Sequence, residues 1–88
     1  MSVAEADTEI ARLVGETLHR DSVMALNHLA MARCKTIKRA KEVHAIYARE
    51  LPDCRPALVH SEMSATERRD NLARLRSFES RLIVCVDM

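Results

Sequence analysis

The chain alternates between long amphipathic stretches and short apolar runs. Residues 5–20 carry Ile10, Leu13, Val14 and Leu18 at helical spacings, with acids gathered toward the start, and this periodicity predicts a helix. Asp21-Ser22 breaks it. In 25–34, "ALNHLAMARC", Leu29, Met31 and Arg33 alternate with Ala30 and Ala32, which predicts a short strand against the helical propensity of its Ala, Leu and Met. Thr36 can cap a second helix over 37–50, whose inward stripe is Ile37, Ala40, Val43 and Tyr47 and which stops at Pro52-Asp53. "PALVH", 56–60, is a compact apolar run of strand length. Ser64 with Glu67 three residues later makes a capping box, and the helix it opens runs to about Ser77. The inward stripe of that helix is Ala65, Arg68, Leu72 and Leu75, so Arg68 stands where an apolar residue is expected. Leu82 to Val86 is apolar without a break and rich in β-branched residues. Such a strand is covered on both faces and lies in the interior of a parallel sheet.

The order is therefore α-β-α-β-α-β, which implies a small α/β domain with a parallel sheet built by right-handed crossovers. An N-terminal helix and connector, 1–24, precede the α/β unit at 25–88. At 88 residues the chain is one domain with a thin core. That core is aliphatic, because the chain has no Trp, one Tyr and one Phe. No run approaches the ~20 apolar residues of a membrane span. Three widely separated cysteines and no basic, hydrophobic leader suggest a reduced, cytoplasmic protein.

Charge is unevenly spread. Residues 1–21 hold five acids against two bases, whereas Arg33, Lys35, Lys38, Arg39 and Lys41 form a cluster with no acid between them. Such a cluster can serve an anionic partner such as nucleic acid, and it can equally be a solvated helix face.

Several chemistries fail on residue count or spacing. With one glycine, Gly15, neither a P-loop nor a dinucleotide-binding loop can be written, so the chain alone holds no ATP in that manner. His60, Ser61 and Asp87 could be assembled into a hydrolytic set on paper, but neighbours in a strand point to opposite faces. Cys34, Cys54, Cys85 and His60 lack the close pairing of a structural zinc site and read more simply as small core residues. No metal is expected. His19, His28 and His44 have no partner at a ligand spacing, and His44 is expected to flank the core of its helix.

The segment "VHSEMSATERRDNLARLRSFESRLIVCVDM" resembles the C-terminal RecA-like domain of superfamily 2 (DEAD/DEAH-type) helicases. In that family a strand ends in His-Gly, a capped helix carrying an Arg follows, then a helix ending in Phe-Arg-x-Gly, and then a strand of the form L-V-x-T-D. Here His60-Ser61, Arg68, Leu75 to Phe78 and Ile83 to Asp87 stand at those positions, and "MARCKTIKRAKEV" is similar to motif IV through Thr36 and Ala40. The resemblance covers residues 26–88. It implies a partial three-layer RecA-like domain that stops inside motif V, as a fragment of a larger ATP-driven DNA helicase or translocase. ATP and Mg would belong to the parent family and not to this chain, which would be inactive without the missing helicase lobe. Arg33, Lys35, Thr36, His60 and Ser61 would contact the backbone of a single DNA strand without reading sequence. Arg68, Val86 and Asp87 would support motif V, with Arg68 alternatively laying its stem on the core and its head in solvent.

Departures from the family pattern carry expectations of their own. Arg33 replaces an aromatic, Ser61 a Gly and Val86 a Thr. Phe78 stands where a helix-ending Gly would take a left-handed backbone, at a cost for any residue with a side chain. An open apolar sheet edge invites self-association. The competing readings are a small non-enzymatic interaction module and a decayed open reading frame.

Overall fold

The computed structural model describes residues 2–24 and 29–86. Its elements are α1 (Val3–Val23), β1 (Ala30–Cys34), α2 (Ile37–Glu50), a 3₁₀ turn (Pro52–Cys54), β2 (Ala57–Val59), α3 (Ala65–Arg76) and β3 (Leu82–Val86). The three strands form one parallel sheet in the order β1-β3-β2. The expected small α/β architecture and interior position of the last strand are both present. Residues 25–28, where the first strand was expected to begin, and Asp87 lie outside the described residues.

Sheet order dictates where the helices go. The chain crosses from β1 past the β3 position to β2, then returns one place to β3. Two right-handed crossovers in opposite directions put their helices on opposite faces. Register agrees. Ala30, Ala32, Cys34, Leu58, Leu82, Val84 and Val86 share one face with Ala40, Val43 and Tyr47 of α2. Ala57, Val59 and Ile83 turn to the other, where α3 packs on β2. Leu82, Ile83 and Val84 are consecutive and all buried, as a strand covered on both sides requires.

Local signals set the ends of α2 and α3. Thr36 Oγ1 accepts the Arg39 N–H at 3.1 Å, and Ser64 Oγ accepts the Glu67 N–H at 3.1 Å. The reciprocal half of the expected capping box, Glu67 to the Ser64 N–H, does not form among the described residues. Phe78 follows α3 with φ 61°, the left-handed conformation expected of that position. The Ser80 N–H closes the turn on the Arg74 carbonyl at 2.9 Å.

Two stripes depart from their periodicity. In α1 the inward residues are Asp7, Ala11, Val14 and Leu18, while Ile10 and Leu13 stay about half exposed, at 50% and 49%. The cause is a contact the local pattern cannot contain. Arg39 of α2 donates to Asp7 Oδ1 at 2.6 Å and turns that face of α1 toward α2. Gly15 then lets α1 approach the end of α2, where a Cβ would overlap the Leu51 side chain. In α3 no residue is fully buried; Ala65 is exposed, and Arg68, Asn71, Leu72 and Leu75 are half-buried. No described helix is long and apolar enough to cross a membrane.

Candidate nucleic-acid interface

Lys35 and Thr36 follow β1, and His60 and Ser61 follow β2, so the four stand at the carboxyl edge of one parallel sheet. That edge is where open α/β sheets collect ligands. The ends of β1 and β2 are roughly 10 Å apart, two strand spacings, with β3 between them. The gap ends in Val86, which is half-buried and paired in register with Cys34.

The two halves of this edge differ in charge. On the β1 side, α2 starts with its backbone N–H groups toward the edge and no acid in its first turn. Lys35, Lys38 and Lys41 are exposed around it. Cations at a helix N-terminus oppose the macrodipole, each by about 0.3–1 kcal/mol, so this placement works against the helix unless an anion sits there. On the β2 side the first turn of α3 carries Glu67, and Glu62 is exposed beside His60. The edge is therefore positive at β1 and mixed at β2.

Individual side chains narrow this further. Thr36 Oγ1 is already the acceptor that caps α2, leaving its hydroxyl hydrogen to donate outward. The ring of His60 is buried, with the residue 8% exposed, and its Nδ1 accepts the Glu62 N–H at 3.2 Å. In the neutral ring the proton is then on Nε2, which is not among the buried atoms lacking a partner and so reaches solvent as a donor. Ser61 is exposed. Arg33 is exposed on the sheet face opposite α2. Arg68 is half-buried over a shallow depression with Leu72 and Arg76, and its guanidinium bonds to no described residue. Arg39 of the basic cluster is engaged by Asp7.

Sequence reading missed three side chains. Asn71 accepts the Leu58 N–H at 3.1 Å and so ties α3 to β2. His44 donates Nε2–H to the Pro56 carbonyl at 2.8 Å and ties α2 to the approach to β2. Asp7 holds α1. Only the polar interruption of an otherwise apolar face could have flagged them.

The cysteines do not converge. Cys34 and Cys85 lie on neighbouring strands but on opposite faces, and all three thiols are free. Burial pushes the Cys34 and Cys54 thiols up, against a smaller lowering by Arg39 and Arg81 respectively. Among the described residues no group of His, Cys, Asp and Glu is placed to hold a metal ion. No protein-family model matches the chain, and no curated protein matches it.

Proposed function

We propose that the chain contacts the phosphate backbone of single-stranded nucleic acid, DNA by the resemblance, as part of a RecA-like lobe of the superfamily 2 helicase kind. The observation that carries this reading is the N-terminus of α2, which stands at the carboxyl edge of the sheet with Lys35, Lys38 and Lys41 around it and no acid in its first turn. Backbone N–H groups and ammonium groups there favour an anion together. The Thr36 hydroxyl and His60 Nε2 add further donors along the same edge. Such contacts position a strand without reading its bases. ATP and Mg, in the parent family, would be held by other segments, and this chain by itself turns over no ATP.

The test is fluorescence anisotropy of a labelled oligothymidylate across a salt series. Two or three phosphate contacts give a log–log salt slope of about −1.4 to −2.1 for a single strand. Lys35→Glu and Lys38→Glu should weaken binding and flatten that slope, whereas Glu62→Gln should strengthen binding. Affinity that ignores salt, or survives both charge reversals, would remove the proposal. Sustained ATP hydrolysis by the purified chain would contradict the division of labour.

A further inference from the structure

The face of the sheet that carries α3 is only half covered. Two rows of paired residues cross it, Ala57–Ile83–Met31 and Val59–Cys85–Arg33, each running from β2 through β3 to β1. Along the first row exposure climbs from 0% through 5% to 63%. Along the second, Val59 and Cys85 are half-buried and Arg33 is exposed. α3 packs on β2, so the cover reaches β3 and stops there among the described residues. Parallel sheets are ordinarily covered by helices on both faces.

The open half is bordered by arginines. Around α3 the half-buried residues follow the order Asn71, Leu75, Arg68, Leu72. Asn71 stands on the outer side, where it takes the Leu58 N–H at the β2 edge, so Leu72 stands on the side toward β3 and β1. There Arg68, Leu72 and Arg76, with Ala65 and Arg69, line a shallow depression of about 310 Å³. Arg69 and Arg76 are exposed, as is Arg33 across the gap on β1. None of these four guanidiniums pairs with a described residue, and no described acid lines the depression.

We infer that this half-face binds an amphipathic helix of a partner protein, lying beside α3 with its apolar side on Met31 and Leu72 and its carboxylates against Arg33, Arg68 and Arg76. The face offers side chains and no backbone groups. A strand laid on it would gain no ladder, whereas a helix closes its own hydrogen bonds and needs only side-chain cover. The space fits one. Packed helices lie about 8–10 Å apart, and β1 lies about 10 Å from β2, so a helix beside α3 comes down over β1. Charge selects its sequence. Arg68 and Arg76 are about 12 Å apart along α3, which matches carboxylates about seven or eight residues apart on one side of a neighbouring helix. Composition separates this surface from the lysines around the start of α2, which stand on the other face of the sheet. Here arginines border a thioether, and Arg and Met gather at protein interfaces, where Lys is depleted.

The test is an NMR titration of the full chain with a synthetic amphipathic helix of about 18 residues, with Leu along one side and Glu two turns apart on its flank, against the same peptide with Gln for each Glu. The Glu peptide should bind about tenfold tighter or more, and should shift the amides of Met31, Arg33 and α3. Arg33→Glu with Arg76→Glu changes two exposed residues and should leave the circular dichroism spectrum as it is. That double variant should lose the preference for the Glu peptide and prefer one with Lys in its place. Lys35→Glu should leave peptide affinity within about twofold while weakening oligothymidylate, so that failure of either reading is seen apart from the other. Absence of peptide binding, equal affinity for the Glu and Gln peptides, an unchanged preference in the double variant, or shifts confined to Lys35–Lys41 would each overturn the inference. Oligothymidylate binding weakened by the double variant as much as by Lys35→Glu would give the surface to nucleic acid instead.

Discussion

α2 and α3 do the same topological work, each carrying the chain from the end of one strand to the start of the next, yet different forces hold them. α2 buries Ala40, Val43 and Tyr47 against a sheet face that all three strands share. α3 buries no residue. It is fixed by the Ser64 cap, by the Ser77 and Ser80 N–H groups folded back on its last turn, and by Asn71 bonded to β2. α2 is thus the more deeply packed element, and α3 leans more heavily on hydrogen bonds. Packing spreads its stabilisation over many contacts, whereas a few polar bonds can open together. α3 is therefore the segment whose opening costs less. The basic end of the candidate interface stands on the packed side, and the mixed end on the side that opens more easily.

The sharpest way to break this contrast is truncation. Tyr47→Ala should cost about 3–5 kcal/mol, a large part of the total stability of so small a domain. Leu72→Ala on half-buried α3 should cost about 1 kcal/mol. Urea titrations of both variants measure the ratio, and equal losses would erase the distinction.

The Asp7–Arg39 pair extends the comparison to α1. The Asp7 side chain is 10% exposed and its Oδ2 has no partner, whereas Arg39 is 35% exposed. Arg39→Ala leaves a buried carboxylate alone and should cost toward the lower end of about 3–5 kcal/mol. Asp7→Asn leaves a guanidinium that water can reach, and should cost about 1 kcal/mol or less. The same two titrations check the asymmetry.

On α3 the expected effects are smaller and of both signs. Asn71→Ala should cost about 1–2 kcal/mol and raise hydrogen exchange at the Leu58 amide, now unpaired at the sheet edge. Phe78→Gly should stabilise by about 1 kcal/mol, because glycine adopts φ 61° without opposing a side chain and Phe78 is 45% exposed. A loss on Phe78→Gly would mean that its ring holds α3 after all.

The gentlest effect is in pH and falls on the packed side. Burial raises both the Cys34 thiol and the Tyr47 phenol. The unfolded chain therefore loses these protons first as pH climbs. Stability is fully present below the unfolded values and should decline from about pH 8.5 upward, through the thiol range and then the phenol range. Urea midpoints at rising pH check the slope, and Cys34→Ala with Tyr47→Phe should flatten it.

What the chain determined by itself is local. Thr36 and Ser64 mark helix starts, because a cap needs only its own next turn. Leu82 to Val86 announces a strand covered on both faces, because five apolar residues in a row leave no side for water. The reversal at Phe78 follows from its place after a helix end. Tertiary structure alone decided which face of α1 turns inward, because Asp7 finds Arg39 across 32 residues and no periodicity within α1 contains that contact. It also decided that Asn71 would close the β2 edge while β1 stayed open, since edge and interior are properties of strand order. The candidate interface divides in the same way. Lysines around a helix start could be read along the chain, but the orientation of His60, with Nδ1 held by a backbone N–H and Nε2 left to solvent, required the turn to be folded.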